Sequence, residues 1–304
     1  IPASLENTFV SGRKNIIING GFDVSQRGAY TSATAISGAD NYYLDRFNAY
    51  NTIAATIQHS TGYPQTQSKT MKLAATATGS GFIRSLQQIE TDLTGYEVTF
   101  SAWVKSNNSN ARLLIHDGGW GDSSTAHTGG GSWEKLTTTF TVSSSTLKCT
   151  ILIGSSTHGA VSISSGDYIE VSQVQLEIGD TATDFEHRSY GEELALCQRY
   201  YWQDSAAKDR IAILDGSTAN YPTIFPVCPV PMRTLPTGTF LTVNDFYYNN
   251  SGAASFTPSG GTANVAQEGN EIRIRLNAVS NGVGSTHSMK TGQWNTKIKF
   301  DAEL

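Results

Sequence analysis

The chain has 304 residues, enough for about two domains, with 38% apolar and 15% charged residues and a formal net charge of −5. Abundant Gly, Ser, Thr and Asn with so little charge exclude a disordered chain, which combines scarce apolar residues with high net charge, and describe a folded, turn-rich all-β protein. The mild acidity and scattered Lys and Arg exclude a phosphate-backbone partner, so no nucleic acid is expected, and without a run of about 18 apolar residues no membrane insertion is expected.

An arm is expected over residues 1–14, followed by a β-sandwich over 15–187. EVTFSAWVK (97–105) alternates, with Val98, Phe100, Ala102 and Val104 on one face and Thr99, Ser101, Trp103 and Lys105 on the other. ARLLIHD (111–117), KLTTTFTV (135–142), KCTILIG (148–154) and YIEVSQVQLEI (168–178) repeat the theme between Gly-, Ser- and Asn-rich turns. Such short, regularly spaced strands without crossover helices indicate antiparallel, jelly-roll-like packing.

FEHRSYGEELALCQRYYW (185–202) is the one convincing helix, expected over 188–202. Ser189 and Glu192 form a capping box, in which the hydroxyl takes a backbone N–H and the carboxylate reaches back. Leu194, Cys197 and Tyr201 fall at i, i+3 and i+7 as its buried stripe, so the helix is read as a bridge between domains. Five prolines follow within 222–238, a density that confines this segment to an edge or crossing. Alternating NEIRIRL (270–276) then belongs to a smaller C-terminal β-sandwich over 203–304. The fold class read from the sequence is therefore all-β, two jelly-roll-like sandwiches joined by one short α-helix. The three cysteines, Cys149, Cys197 and Cys228, are odd in number and widely spaced, and read as small buried hydrophobes.

No GxSxG elbow, HExxH pair or P-loop is present, and the six histidines form no i, i+4 ligand pair, so no enzyme is expected. Paired carboxylates for glycan cleavage would have to come from Asp117, Asp122, Asp184 or Glu186. Sugar binding needs an aromatic plate beside hydrogen-bonding side chains, because pyranose CH faces stack on rings while hydroxyls need polar partners. Trp120, in a Gly-rich loop and flanked by Asp117, Asp122 and His127, is the first candidate. Tyr42 and Tyr43 are candidates for the same rim, and Trp103 stands on the polar face of its strand. Trp133 is read as core.

NIIINGGFDVSQRG (15–28), LDRFNAY (44–50), TFSAWVKS (99–106), GSWEKLTTTFTV (131–142) and DYIEVSQVQLEIGDTATDFEHRSYGEELALCQRYY (167–201) resemble a family of bacteriophage tail fibre and minor tail proteins from phages of marine and aquatic bacteria. FPVCPVPMRTLPT (225–237) is similar to the start of the domain that often follows in them. Arg27, Asp45 and Arg46 recur in this family, with structural roles.

The first domain also resembles carbohydrate-binding modules of the calcium-braced jelly-roll kind. That resemblance implies calcium held by Asp23 and by the residue at the Gln173 position, where an amide in place of a carboxylate weakens the site. No other cofactor is implied.

Together these resemblances imply a non-enzymatic virion protein on the phage tail, a homotrimer joined to other virion proteins, that contacts host-surface carbohydrate for attachment. The alternatives are a capsid decoration or head-fibre protein on the head surface, a carbohydrate-binding module of a secreted or virion-borne glycan-degrading assembly, and a depolymerase.

Overall fold

The computed structural model describes residues 13–38, 40–61, 69–118, 121–204, 208–214, 222–224, 228–248, 254–256, 263–268, 271–276 and 290–303. The chain divides into two compact units, Ile1–Glu193 and Leu194–Glu303. It is all-β with a single short helix among the described residues, the class its alternation and turn residues lead one to expect.

In chain order the strands of the first unit are β1 (Thr34–Ala35), β2 (Asn41–Leu44), β3 (Phe47–Asn51), β4 (Ala55–Thr61), β5 (Lys69–Ala75), β6 (Gly79–Gly81) and β7 (Ile83–Ile89). They continue with β8 (Glu97–Ser106), β9 (Ala111–His116), β10 (Gly121–Ser123), β11 (Trp133–Thr141), β12 (Leu147–Ile153), β13 (Val161–Ile163) and β14 (Tyr168–Ile178). One six-stranded antiparallel sheet runs β1-β4-β5-β14-β8-β11 and the other β10-β9-β12-β7-β3-β2, while β6 and β13 form a small ribbon.

The two sheets close over one core, because every second side chain of their strands is apolar. Val98, Phe100, Ala102 and Val104 of β8 meet Leu113 and Ile115 of β9 and Cys149, Ile151 and Ile153 of β12 in a single buried cluster. At the Leu44–Phe47 turn, Asp45 is fully buried and accepts the Gln26 backbone N–H at 2.6 Å and its side-chain amide at 2.7 Å. Arg46, in left-handed backbone at φ 69°, donates to the Gln88 carbonyl at 2.8 Å.

β14 is the strand on which the site depends. Ser172 pairs with Trp103 and Gln175 with Ser101, so three steps on β14 answer two on β8, and the extra residue is a bulge. Gln173 lies at its centre with φ 54°. Beyond the bulge β14 is flanked by the opening segment of the chain, through Ile16 N–H to Leu176 O at 2.8 Å and Val174 N–H to Gly20 O at 2.9 Å. A Cβ on Gly20 would lie 2.0 Å from the Val174 oxygen, so only glycine fits there.

The helix, α1, spans Tyr190–Gln198, shorter than the 188–202 read from the sequence. Ser189 Oγ accepts the Glu192 N–H at 3.3 Å, but the Glu192 carboxylate accepts two hydrogen bonds from Arg13 at 2.9 and 3.2 Å, so it serves the opening segment. The buried stripe is displaced from the one expected. Cys197 is buried, Leu194 is half-buried, and Glu193 is buried in its place, accepting from Arg188 at 3.3 Å and from the Asn19 N–H at 2.6 Å. Burial raises the Glu193 pKa, and the Arg188 charge only partly opposes it.

Tyr201 is past the helix, since Tyr200 N–H turns back to Cys197 O and Tyr201 begins a strand. That strand, β15 (Tyr201–Gln203), opens the second unit and is followed by β16 (Lys208–Leu214), β17 (Pro222–Ile224), β18 (Thr237–Tyr248), β19 (Ala254–Phe256), β20 (Ala263–Glu268), β21 (Glu271–Leu276) and β22 (Lys290–Asp301). They form one eight-stranded antiparallel sheet, β19-β18-β22-β16-β17-β21-β20, with β15 also on β22. The aromatic run after the helix anchors this unit, with Tyr200, Tyr201 and Trp202 buried and Trp202 stacked on Phe300 at 5.7 Å. All three cysteines are buried thiols.

Candidate functional site

The outer face of the β14-β8-β11 sheet carries the side chains that point away from the core. Ser101 and Trp103 on β8 stand opposite Thr137 and Lys135 on β11, and opposite Gln175 and Ser172 on β14. The segment after β14 folds back over this face. The Gln175 amide donates to the Glu177 carboxylate at 2.9 Å and to the Asp184 carbonyl at 3.3 Å, and its oxygen accepts the Glu186 N–H at 2.9 Å. The Glu177 carboxylate accepts the Thr183 N–H and hydroxyl at 2.9 and 2.8 Å, and Lys135 Nζ donates to the Thr183 carbonyl at 2.9 Å.

The result is a pocket of about 330 Å³, lined by Ser101, Trp103, Lys135, Gln173, Gln175, Thr183, Asp184, Phe185 and His187. Its volume falls within the range of small-ligand sites, about 300–1,000 Å³. Three aromatic rings enter it, and Phe185 and His187 meet edge to face at 4.8 Å. The bulge places Gln173 on the wall, while the Gln175 amide holds the overlying segment in place.

Burial raises the pKa of Glu177, but the hydrogen bonds from Gln175 and Thr183 and the nearby Lys14 charge outweigh it and hold the carboxyl below its ordinary value. Glu177 is thus an ionised tie and unsuited to donate a proton. Glu186 is likewise committed, accepting the Lys14 and Asn15 N–H groups at 2.9 and 2.8 Å. Only Asp184 among the four carboxylate candidates lies exposed in the pocket.

Of the sugar-binding candidates, Trp103 alone is in this pocket. Trp120 lies outside the described residues. Asp117 is 3% exposed because its carboxylate clamps the turn before β12, accepting the Ser143 N–H and hydroxyl at 2.6 Å and the Ser144 N–H at 3.0 Å. His127 is buried as well: its Nδ1 accepts the Gly129 N–H at 2.8 Å, and its Nε2 donates to the Ser132 carbonyl at 2.9 Å. Both are loop ties.

Asp122 is exposed on β10 and Tyr42 is on β2, the two opposite edges of the other sheet. At about 4.8 Å per strand those edges are roughly 24 Å apart, so the two residues cannot share one rim. Tyr42 sits under the Arg27 guanidinium at 5.2 Å, and Tyr43 packs edge to face on Tyr30 at 5.8 Å while its hydroxyl accepts the Ser37 N–H at 2.9 Å.

Trp133 is a correction to the sequence reading. It pairs with Lys105, sharing parity with Lys135 and Thr137, and stands half-buried on the outer face and outside the core.

The implied calcium does not fit. Gln173 lines the Trp103 pocket, and the Lys69 ammonium donates to the Asp23 carbonyl at 3.0 Å, setting a cation beside the other ligand position. Among the described residues, no three His, Cys, Asp or Glu side chains gather as a metal site.

No protein-family model matches the chain, and no curated protein matches it. Among experimentally solved structures it is similar to the enzymatically active domain of tailspike protein 4 of bacteriophage CBA120, at 16% identity and a TM-score of 0.37, over 54% of this chain and 21% of that one. It is also similar to a family 11 carbohydrate-binding module from Clostridium thermocellum solved with a mixed-linked tetrasaccharide, at 13% identity and a TM-score of 0.32, over 50% of this chain and 98% of that one. A xylan-binding domain from Paenibacillus barcinonensis matches at 14% identity and a TM-score of 0.30, over 52% of this chain and 94% of that one. The chain thus spans about a fifth of the tailspike chain it matches. None of these likenesses is close enough to specify a function.

The sequence signals for the rest of the pocket were weak. The parity of β8 sets Ser101 on the same outer face as Trp103, but Gln175, Phe185 and His187 reach the site only because a segment remote from β8 in sequence folds onto it.

Proposed function

We propose that the chain is a non-enzymatic glycan-binding component of a bacteriophage virion, most simply a tail fibre or receptor-binding protein that contacts host-surface carbohydrate. The observation that carries the binding reading is the half-buried Trp103 ring in a polar pocket of about 330 Å³ whose wall includes the side-chain amide of Gln173. A ring can stack on the apolar face of a pyranose, and amides can both donate to and accept from its hydroxyls without desolvating a charge. The commitment of Glu177 and Glu186 to internal hydrogen bonds leaves the pocket without a second free carboxylate beside Asp184, which supports binding over glycoside cleavage. The virion placement rests on the family resemblance of residues 15–240. In this reading several copies, as in a trimer, present the pocket together, and avidity raises a weak single-site affinity.

Two experiments test the parts separately. A glycan array probed with the wild-type chain and with Trp103→Ala is expected to show binding that the variant loses; equal binding by both would overturn the site. Immunogold labelling of intact virions is expected to mark the tail. Gold on the head would move the chain to a decoration or head-fibre role.

A further inference from the structure

The outer face of β8 changes character halfway along. Thr99 and Ser101 point outward yet are 1% and 2% exposed, whereas Trp103 and Lys105, the next two outward residues, are half-buried. The cover over the first pair is the segment that follows β14. Thr99 donates its hydroxyl to the Gly179 carbonyl at 2.6 Å, where the chain leaves the sheet. Thr183 is then held from two strands: Glu177 of β14 accepts its N–H and hydroxyl, while Lys135 of β11 donates to its carbonyl and, at 3.4 Å, to that of Ala182. Since β8 lies between β14 and β11, this segment forms a strap across it. The Asp184 carbonyl and the Glu186 N–H then return to the Gln175 side chain.

The strap makes the Trp103 pocket a dead end. A linear ligand lying along β8 over the Trp103 ring meets Thr183, Asp184 and Phe185 and cannot continue over Ser101, which is already buried. The Lys135 side chain, tied to the strap, stands on the β11 side, and Gln173 at the bulge stands on the β14 side. The remaining direction leads over Lys105 to Trp133, which pairs with it in register. Trp133 is thereby the diagonal neighbour of Trp103, roughly 7–8 Å away between backbones and within reach of an aromatic side chain.

We propose that the pocket takes the terminal unit of a linear glycan and that the following units run out over Lys105 and Trp133. The inference rests on the glycan-binding reading of Trp103 and adds the class of ligand to it, a free chain end. The strap selects the end over an internal stretch in two ways. It blocks the path that a second neighbour would need, and it carries the exposed Asp184 side chain, an acceptor for a hydroxyl that only a terminal unit keeps. In an internal unit that oxygen is glycosidic and has no proton to donate. Glu177 acts through Thr183 and is a positioning residue; the two tryptophan rings provide successive stacking points.

The test uses the full chain on a glycan array of linear disaccharides and tetrasaccharides, each printed once through its reducing end and once through its non-reducing end. Wild type is expected to retain a bound glycan in one orientation only, by a ratio of about tenfold or more, and the silent orientation identifies the end that enters the pocket. Lys135→Ala removes the tie to β11, and Glu177→Gln replaces one of the two accepting oxygens by a donor. Either is expected to bring the ratio below about threefold. Trp133→Ala is expected to weaken tetrasaccharides about threefold or more, and more than disaccharides.

A second readout needs no glycan. All three native thiols are buried, so a Ser101→Cys thiol reports on the strap through its reaction with a maleimide. It is expected to be protected in the otherwise wild-type chain and to react at least about tenfold faster once Lys135→Ala is added, because local opening sets the rate. A thiol that reacts freely without Lys135→Ala would overturn the strap. Equal retention in both orientations would overturn the chain-end proposal and leave the Trp103 reading standing. Retention of no printed glycan, with the thiol protected, would overturn the glycan reading and the chain-end proposal while the strap stands.

Discussion

On the outer face of the β14-β8-β11 sheet, Thr99, Ser101, Lys135 and Thr137 surround the half-buried rings of Trp103, Trp133 and Tyr168, whereas on the outer face of the β9-β12-β7 sheet Leu86, Leu114 and Leu152 are 4%, 3% and 0% exposed. The two sheets share one core, yet one turns a polar, ring-bearing surface outward and the other buries a second apolar layer beside the paired rings of His116 and His158. The difference shows in the strands themselves. β11 alternates, with Lys135 and Thr137 exposed and Leu136 and Thr138 buried, while in β12 the outward Thr150 and Leu152 are as buried as the inward Ile151 and Ile153. A strand covered on both faces is under a different constraint from one covered on a single face, and substitutions at outward positions should separate the two.

The largest separation is expected from Leu152→Ala, which should lower unfolding free energy by about 2–5 kcal/mol in urea titration, whereas Thr137→Ala on the exposed face should stay within about 0.5 kcal/mol. Similar small losses for both would break the comparison.

Acid should act through the same covered face. The His158 pKa is lowered to about 4 by burial, then by His116, Arg84 and Lys148. The unfolded chain therefore takes up its proton first as pH falls through the ordinary histidine value, and stability is lost from there down to about pH 4. Roughly 2–3 kcal/mol should disappear over that window in urea titrations, and His158→Phe should flatten the slope. Glu177 sharpens the contrast. Its pKa is held below 4.5, so its contribution is intact above that pH and is lost only as pH falls below it, which leaves the polar face insensitive between pH 5 and 7, roughly the histidine window.

Trp103→Ala should reverse the pattern, weakening glycan retention in affinity electrophoresis at least about tenfold, equivalent to 1.4 kcal/mol, with little loss of stability. Gln173→Gly is the finest probe. Glycine relieves the left-handed backbone at φ 54°, so stability should hold or rise by up to about 1 kcal/mol, while loss of one amide contact should weaken glycan binding about threefold to tenfold.

Alternation made much of the first unit legible: EVTFSAWVK gives its core and outer faces correctly, and with them the position of Trp103. The same parity argument applied to WEKLTTTFT would have set Trp133 beside Lys135 and Thr137; the alternating strand that follows it suggested core, and the register shows otherwise. The bulge at Gln173 had no local signal, since nothing marks glutamine for left-handed backbone. Asp117 and His127 looked available because loop polarity is visible in sequence, while the Ser143, Ser144, Gly129 and Ser132 groups that consume them are set by tertiary structure. Ser189 was readable as a cap by its spacing, but the partner of Glu192 is Arg13, 179 positions away.

That last contact has an architectural consequence. Arg13, the first described residue, and Glu192, near the end of the first unit, touch at 2.9 Å, so the described part of this sandwich begins and ends at nearly the same point. A unit with adjoining ends can be spliced into an exposed loop of a host chain without prising the host's strands apart, and it can be reopened elsewhere once residues 13 and 192 are joined by a short linker. The sandwich is in this sense portable, a cassette whose two connections occupy one small patch.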